Sequence, residues 1–184
     1  VPGKYNVKLS YGDYEKISSF EILPDPRNKI EMSHFTKKSD FMKNIHHDIS
    51  DIYSSLRKMQ SARDQLDDLE SRLLDVKFSK ILELSKRTIK LIDDTELKLI
   101  SPKQKTFQDV INFRNQLDAQ FLDLLSKVDG NVPPITSGEM TRYKDLKSEW
   151  LKIKTGYDQV VTNIQDINTK LIESSVPFIS RGGE

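Results

Sequence analysis

Apolar residues recur along this chain with two different periods, and the period changes at a pair of prolines. Before Pro24 and Pro26 the period is two. Tyr5, Val7 and Leu9 share one side of a strand spanning Val1 to Leu9, with Asn6 and Lys8 on the other. Gly12-Asp13 supplies a turn. A second strand from Ile17 to Leu23 sets Phe20 and Ile22 on a common side until the prolines stop it. The pattern predicts a β-hairpin over residues 1–27. A lone two-stranded hairpin is marginal in water. This one is therefore expected to be the end of a truncated β-sandwich, or to lean on a helix.

After Ser33 the period becomes helical. No glycine falls between Gly12 and Gly130, and no proline between Pro26 and Pro102, so little interrupts long helices. The first helix is expected near Ser33, with a stripe at Ile45, Ile49, Ile52, Leu56, Met59, Leu66, Leu69 and Leu73. Arg63 falls on that seam, and its stem is expected to pack while its head reaches water. One helix from Ser33 to Ile100 would be about 100 Å long, too long for a compact domain to cover. A break is placed at Asp75 to Ser79, with Ser79 as the cap of a second helix carrying Ile81, Leu84, Leu91 and Ile92.

Ser101-Pro102-Lys103-Gln104 has the form of a helix start: a capping serine, a proline in the first turn and a glutamine able to close a capping box. The third helix is expected to run from there through Phe107, Val110, Phe113, Leu117, Phe121, Leu124 and Val128. Asp129-Gly130 ends it ahead of Pro133-Pro134. Thr136-Ser137-Gly138-Glu139 is a second capping box. It opens the most regular stripe of the chain: Tyr143, Leu146, Trp150, Ile153, Tyr157, Val160, Ile164, Ile167 and Leu171. Gly156 interrupts this helix at about 1 kcal/mol relative to alanine, so it either permits a close approach or is tolerated. Val176-Pro177-Phe178-Ile179 closes the ordered part, and residues 181–184 are expected to be a loose tail. The fold expected is mainly α: an antiparallel bundle of about four long helices over residues 28–180, with a short N-terminal β-hairpin.

Composition fits long amphipathic helices. Charged residues make up 31% of the chain and hydrophobic ones 36%, against about 25% and 45–50% in ordinary domains. The net charge is +1, so no basic excess exists to drive nucleic-acid binding. No apolar run approaches the roughly 20 residues that cross a bilayer. The chain has no cysteine, which excludes disulfides and thiolate metal sites.

Little in the sequence resembles catalysis. His46 and His47 are adjacent and point about 100° apart on a helix, a poor arrangement for one metal. His47 and Asp51, four apart, share a face. Glu31-Met32-Ser33-His34 has the spacing of one arm of a di-iron carboxylate site, but such a site needs a second copy and two further carboxylates. Asp67-Asp68 and Asp93-Asp94 lie in charge-rich stretches and read as solvated faces. No Gly-x-Ser-x-Gly elbow or glycine-rich phosphate loop occurs. No catalytic, cofactor-binding or metal-binding residue is expected, and no cofactor.

One combination of motifs is distinctive. Pro2-Gly3-Lys4-Tyr5-Asn6-Val7-Lys8-Leu9, then Gly12-Asp13, Phe20-Glu21-Ile22 and Asp25-Pro26-Arg27, resembles the C-terminal part of bacterial BNR/Asp-box repeat glycosyl hydrolase-like proteins of the sortilin-type β-propeller kind. In that family a propeller precedes a small β-sandwich, which ends in such a strand pair and is followed by helices. The helix from Leu117, the restart at Thr136 and Trp150 in the last helix agree with it. The resemblance implies upstream propeller and sandwich domains as partners, and an exported protein. The family's Asp-box motifs belong to the propeller and none occurs here, so no residue inherits a catalytic role.

Two functions from different classes follow. The first is a non-catalytic structural or interaction module of a larger propeller-containing protein. The second is an enzyme of glycoside hydrolase type, either as a stand-alone domain or as part of one whose active site lies outside this chain. Glycosidases place two carboxylates and exposed aromatic platforms at a cleft, whereas Phe113, Phe121, Trp150 and Tyr157 fall on core stripes. Self-association as a homo-oligomer through the first or last helix is a further possibility. Its discriminator is whether the Tyr143–Leu171 stripe is covered within one chain.

Overall fold

A computed structural model describes residues 1–73, 75–177 and 179, and its architecture is mainly helical with one two-stranded sheet. Strands β1 (Gly3–Tyr11) and β2 (Tyr14–Ile22) pair antiparallel in unbroken register, from Gly3 opposite Ile22 to Tyr11 opposite Tyr14. Gly12, with φ of +55°, takes the first turn position. A type II′ hairpin turn needs left-handed backbone there. The ladder thus reaches nearer the turn than alternation alone indicated. After β2 the chain is held by a fork in which the Arg27 guanidinium donates to both Asp25 carboxylate oxygens, at 2.7 and 3.0 Å at its closest. Among the described residues neither strand packs along a helix.

Four helices follow: α1 (Met32–Arg72), α2 (Ser79–Leu99), α3 (Leu117–Gly130) and α4 (Ser137–Glu173). The break between α1 and α2 falls where expected, with a short 3-10 turn at Val76–Phe78. Ser79 does not cap α2. It is the first helical residue, Phe78 holds the cap position, and no side chain bonds there. The Thr136–Glu139 capping box is present, the Glu139 amide donating to Thr136 Oγ1 at 3.2 Å and the Thr136 amide to Glu139 Oε2 at 2.7 Å. Ile179 is buried and clasped by the Asn168 side chain at 2.7 and 2.9 Å. The expected loose tail, 181–184, lies outside the described residues.

The third helix departs most from expectation. It begins at Leu117, not at Ser101. The Gln104 side chain does not close a box on Ser101; its Nε2 donates forward to the Phe113 carbonyl at 3.2 Å and to Asn115 Oδ1 at 3.0 Å. A 3-10 turn at Phe107–Ile111 replaces the predicted helix, opened by a Thr106–Asp109 capping box. The amides of Lys105 and Thr106 donate to Asp109 at 2.7 and 2.8 Å and hold its carboxyl below the usual range. Asp and Asn compete for backbone groups in this way, which favours turns over helix. Ile111 is consequently exposed and Phe113 only half-buried.

The contacts give the direction of each helix. Gln60 meets Glu96 and Ser85 meets Leu66, so α2 runs back along α1. Tyr53 meets Asp118 while Lys38 meets Asp129 and Asn131, so α3 also runs back along α1. Segment 100–116 does not reverse the chain. The helices α2 and α3 form one descending rod, and α1 and α4 run the same way on either side. The pairs α1–α2 and α3–α4 are antiparallel, α2 and α3 share a direction, and the two longest helices are parallel. The expected α4 stripe is the core's spine: Leu146, Trp150, Val160, Ile164, Ile167 and Leu171 are buried within one chain. On α2 the buried face includes Ser85, Thr88 and Thr95, while Leu84 and Leu91 are only partly covered. Thr88 and Thr95 donate to the carbonyls of Leu84 and Leu91, each at 2.7 Å, so these small polar residues enter the core with their hydroxyls satisfied.

Small residues let α2 approach α4 closely at Gly156. A β-carbon there would stand 2.7 Å from Thr95 Oγ1 and 3.5 Å from its Cγ2. The helical preference of alanine, about 1 kcal/mol, competes with overpacking of about 1–3 kcal/mol. Gly156→Ala is expected to destabilise the wild-type chain in urea denaturation. In a Thr95→Ala background, with both close atoms gone, the same change should stabilise by up to about 1 kcal/mol. A stabilising Gly156→Ala in the wild type would show that the contact is slack.

Candidate functional site

The groups with chemical potential in the sequence do not converge. His46 and His47 are exposed on α1. The acid nearest His47 is Asp48, at 3.8 Å, not Asp51. Glu31 sits at the cap position of α1, where its carbonyl accepts from the His34 amide at 3.0 Å. Asp68 pairs with Arg72 at 2.9 Å and Asp93 with Arg63 at 3.2 Å, both on helix surfaces. Arg63 also reaches Glu96 at 3.1 Å, so its head bonds α2 acids where water was expected. Among the described residues no group of three or more His, Cys, Asp or Glu is placed to hold a metal ion.

A polar seam missed in the sequence joins α1 to α4. Asp48, 1% exposed, accepts from the Tyr143 hydroxyl at 2.9 Å and from Lys147. One turn on, Asp51 accepts from Trp150 Nε1 at 3.2 Å and pairs with Lys154 at 3.6 Å. Lys154 in turn lies over the rings of Trp150 and Tyr157. Burial and the neighbouring carboxylate push the Tyr143 hydroxyl up to about 12. Tyr53, bonded to Asp118 at 3.0 Å, is pushed up to about 12 for the same reasons. Asp48 stands three residues after Ile45 on the apolar seam. An acid at that offset was the available signal, since a buried carboxylate requires partners. The seam resembles a helix clamp more than a reaction centre: Asp48, Tyr143 and Lys147 line neither of the two clefts described next.

Surface features concentrate at the other end of the chain. The odd positions of β1 and the even positions of β2 form one face bearing Tyr5, Val7, Leu9, Tyr11, Tyr14, Phe20 and Ile22, with Lys16 and Ser18 opposite Leu9 and Val7. Each of the aromatic and aliphatic residues is exposed, from 38% for Tyr5 to 84% for Tyr11. Tyr5 and Phe20 stack at 5.8 Å between ring centres. The opposite face is polar, with Lys8 2.6 Å from Glu15 and Ser19 bonded to Asn6 at 2.7 Å. At its base the apolar face runs into an open cleft of about 520 Å³, where Val1, Pro2 and Ile22 meet Phe35, Met42 and Pro133. Its rim carries Lys38, Lys43 and His46. A smaller cleft of about 220 Å³ lies between α1 and α4 at Met59, Tyr157, Val160 and Ile164. Among the described residues no helix is long and apolar enough to cross a membrane. The chain matches no protein-family model, no curated protein and no solved structure.

Tyrosine ionisation reports the seam. A hydroxyl whose folded pKa lies above its unfolded value of about 10 lends stability that is complete below pH 10 and lost as pH rises to 12. Spectrophotometric titration at 295 nm should show Tyr53 and Tyr143 ionising near pH 12, with stability falling between pH 10 and 12. Asp48→Asn should lower the Tyr143 step and leave Tyr53 in place. Both tyrosines titrating near 10 would mean that the two bonds are not kept in solution.

Proposed function

We propose that this chain is a non-catalytic structural and interaction module, the helical C-terminal part of a larger propeller-containing protein, joined to the rest through its hairpin. The observation that carries this reading is the amphipathic hairpin. Among the described residues its apolar face meets no helix beyond Ile22 at its base, and its two nine-residue strands have open edges. Monomeric proteins seldom leave such a face bare, and unprotected edges invite pairing. The bundle needs no such supplement, because its stripes close on one another. Its buried polar side-chain atoms all have partners among the described residues. The Asp25–Arg27 fork tightens the turn that follows β2. The Pro-Gly-x-Tyr strand pair followed by Asp-Pro-Arg supports the propeller-and-sandwich parentage. The competing reading, a share in a glycoside hydrolase-type enzyme, places the reacting carboxylates on other domains and asks the same docking role of this chain.

A chain beginning at Lys29 tests the division. It should retain its helical circular dichroism and melt within a few degrees of the full chain. Unfolding would show that the hairpin belongs to the bundle and would overturn the reading. The full chain should release no sugar from aryl glycosides, and turnover lost with a single carboxylate would contradict the non-catalytic role.

A further inference from the structure

The hairpin ladder assigns its charges to its edges. The two-residue turn makes Tyr11 and Tyr14 a hydrogen-bonded pair, and such pairs alternate along an antiparallel ladder. The backbone groups of Lys4, Asn6, Lys8 and Ser10 therefore point outward from β1, and those of Glu15, Ile17, Ser19 and Glu21 outward from β2. Among these outward residues the basic ones lie on β1 and the acidic ones on β2, while Lys16 of β2 stands on the other face opposite Leu9. Within the hairpin these charges answer each other, Lys4 standing opposite Glu21 and Lys8 bonding Glu15. The same placement governs what can be added outside.

A second copy is a poor addition through like edges, and its β2 edge, with Glu15 and Glu21 six apart, can set only one acid directly opposite Lys4 or Lys8. Two copies joined antiparallel by their β1 edges, centred on Asn6, set Lys4 of each opposite Lys8 of the other. Joined by β2 they set Glu15 opposite Glu21. Like charges directly opposite destabilise a ladder. Face-to-face packing is also weak. Nine residue pairs cover roughly 300 Å² on each copy, so two copies bury roughly 600 Å², about half of what a stable interface needs. The β1 edge is the one defined by charge, since its polar side holds lysines and no apolar residue, whereas β2 has Ile17 there.

We propose that the outer edge of β1 receives an added β-strand carrying acidic residues four apart on its polar side and apolar residues on the side shared with Tyr5, Val7 and Leu9, and that like charge keeps the β1 edge of a second copy out of that place. This rests on the reading of the hairpin as part of a larger sheet, and it specifies the strand that the sheet must supply.

The fourfold variant Lys4→Glu, Lys8→Glu, Glu15→Lys, Glu21→Lys provides the probe. It keeps both charge pairs within the hairpin, inverts both edges and presents the acidic strand just described. Sedimentation equilibrium of wild type, variant and their mixture is the measurement. The mixture should associate at least about tenfold more tightly than either chain alone, with the difference shrinking in high salt. Asn6→Pro in the wild-type chain removes an outward amide of β1 and should abolish that association. If the fourfold variant does not fold, Lys4→Glu with Lys8→Glu serves as the probe. A mixture no tighter than its components, a stable wild-type dimer, or association that survives Asn6→Pro would each overturn the proposal. None of these outcomes touches the folding of the chain beginning at Lys29, whose loss would instead remove the module reading beneath it.

Discussion

The buried carboxylate of Asp48 sets the relation between the two longest helices. Because α2 and α3 descend as one rod, α1 and α4 run parallel, and no short turn joins them. Side chains alone must fix how far one is advanced along the other. An apolar seam tolerates sliding by a turn at modest cost. A carboxylate 1% exposed does not, because a slide would strand it away from Tyr143 and Lys147 and leave it buried without partners. Asp51 and Trp150 repeat the arrangement one turn on, so the two contacts define both the offset and the facing of α4. Trp150 reaches the core only in that setting.

From this offset the rest of the packing follows. With α4 placed against the middle of α1, its lower part faces α3 through Phe121 and Tyr143, 6.5 Å between ring centres. Its upper part faces α2 through Gly156 and Thr95, and through Asn163, which donates to the Thr88 hydroxyl at 3.1 Å. Bulk is used at the lower contact and smallness at the upper one. Two short helices thereby fit beside one long one.

Much of this was legible in the sequence where one physical signal acted alone. The α4 stripe and the α1 seam each rest on a repeat that solvent exclusion enforces, the hairpin rests on alternation and its turn residues, and the break at Asp75 to Ser79 rests on helix length. Three elements were not. The α2 face hides Ser85, Thr88 and Thr95, whose hydroxyls bond carbonyls, so a reading by hydropathy gives them to solvent. Ser101 to Gln104 has the composition of a helix start, but Asp109 caps its own shorter turn and Gln104 is drawn to Phe113 and Asn115. Asp48 looks like one acid among many until its partners, 95 and 99 residues away, are known. The apolar face of the hairpin was legible as a pattern, while its exposure depended on where the linker directs it.

The parallel placement of α1 and α4 also imposes an order on folding. The antiparallel pairs α1–α2 and α3–α4 close over short separations and can form early, since the entropy of closure is small. The α1–α4 contact spans nearly a hundred residues and forms only after both pairs exist. During synthesis the α1 segment bearing Asp48 and Asp51 is made nearly a hundred residues before Tyr143, Lys147 and Trp150, its partners on α4. A nascent chain therefore carries that face of α1 uncovered until its last helix emerges, and that interval is when a chaperone would have something to hold.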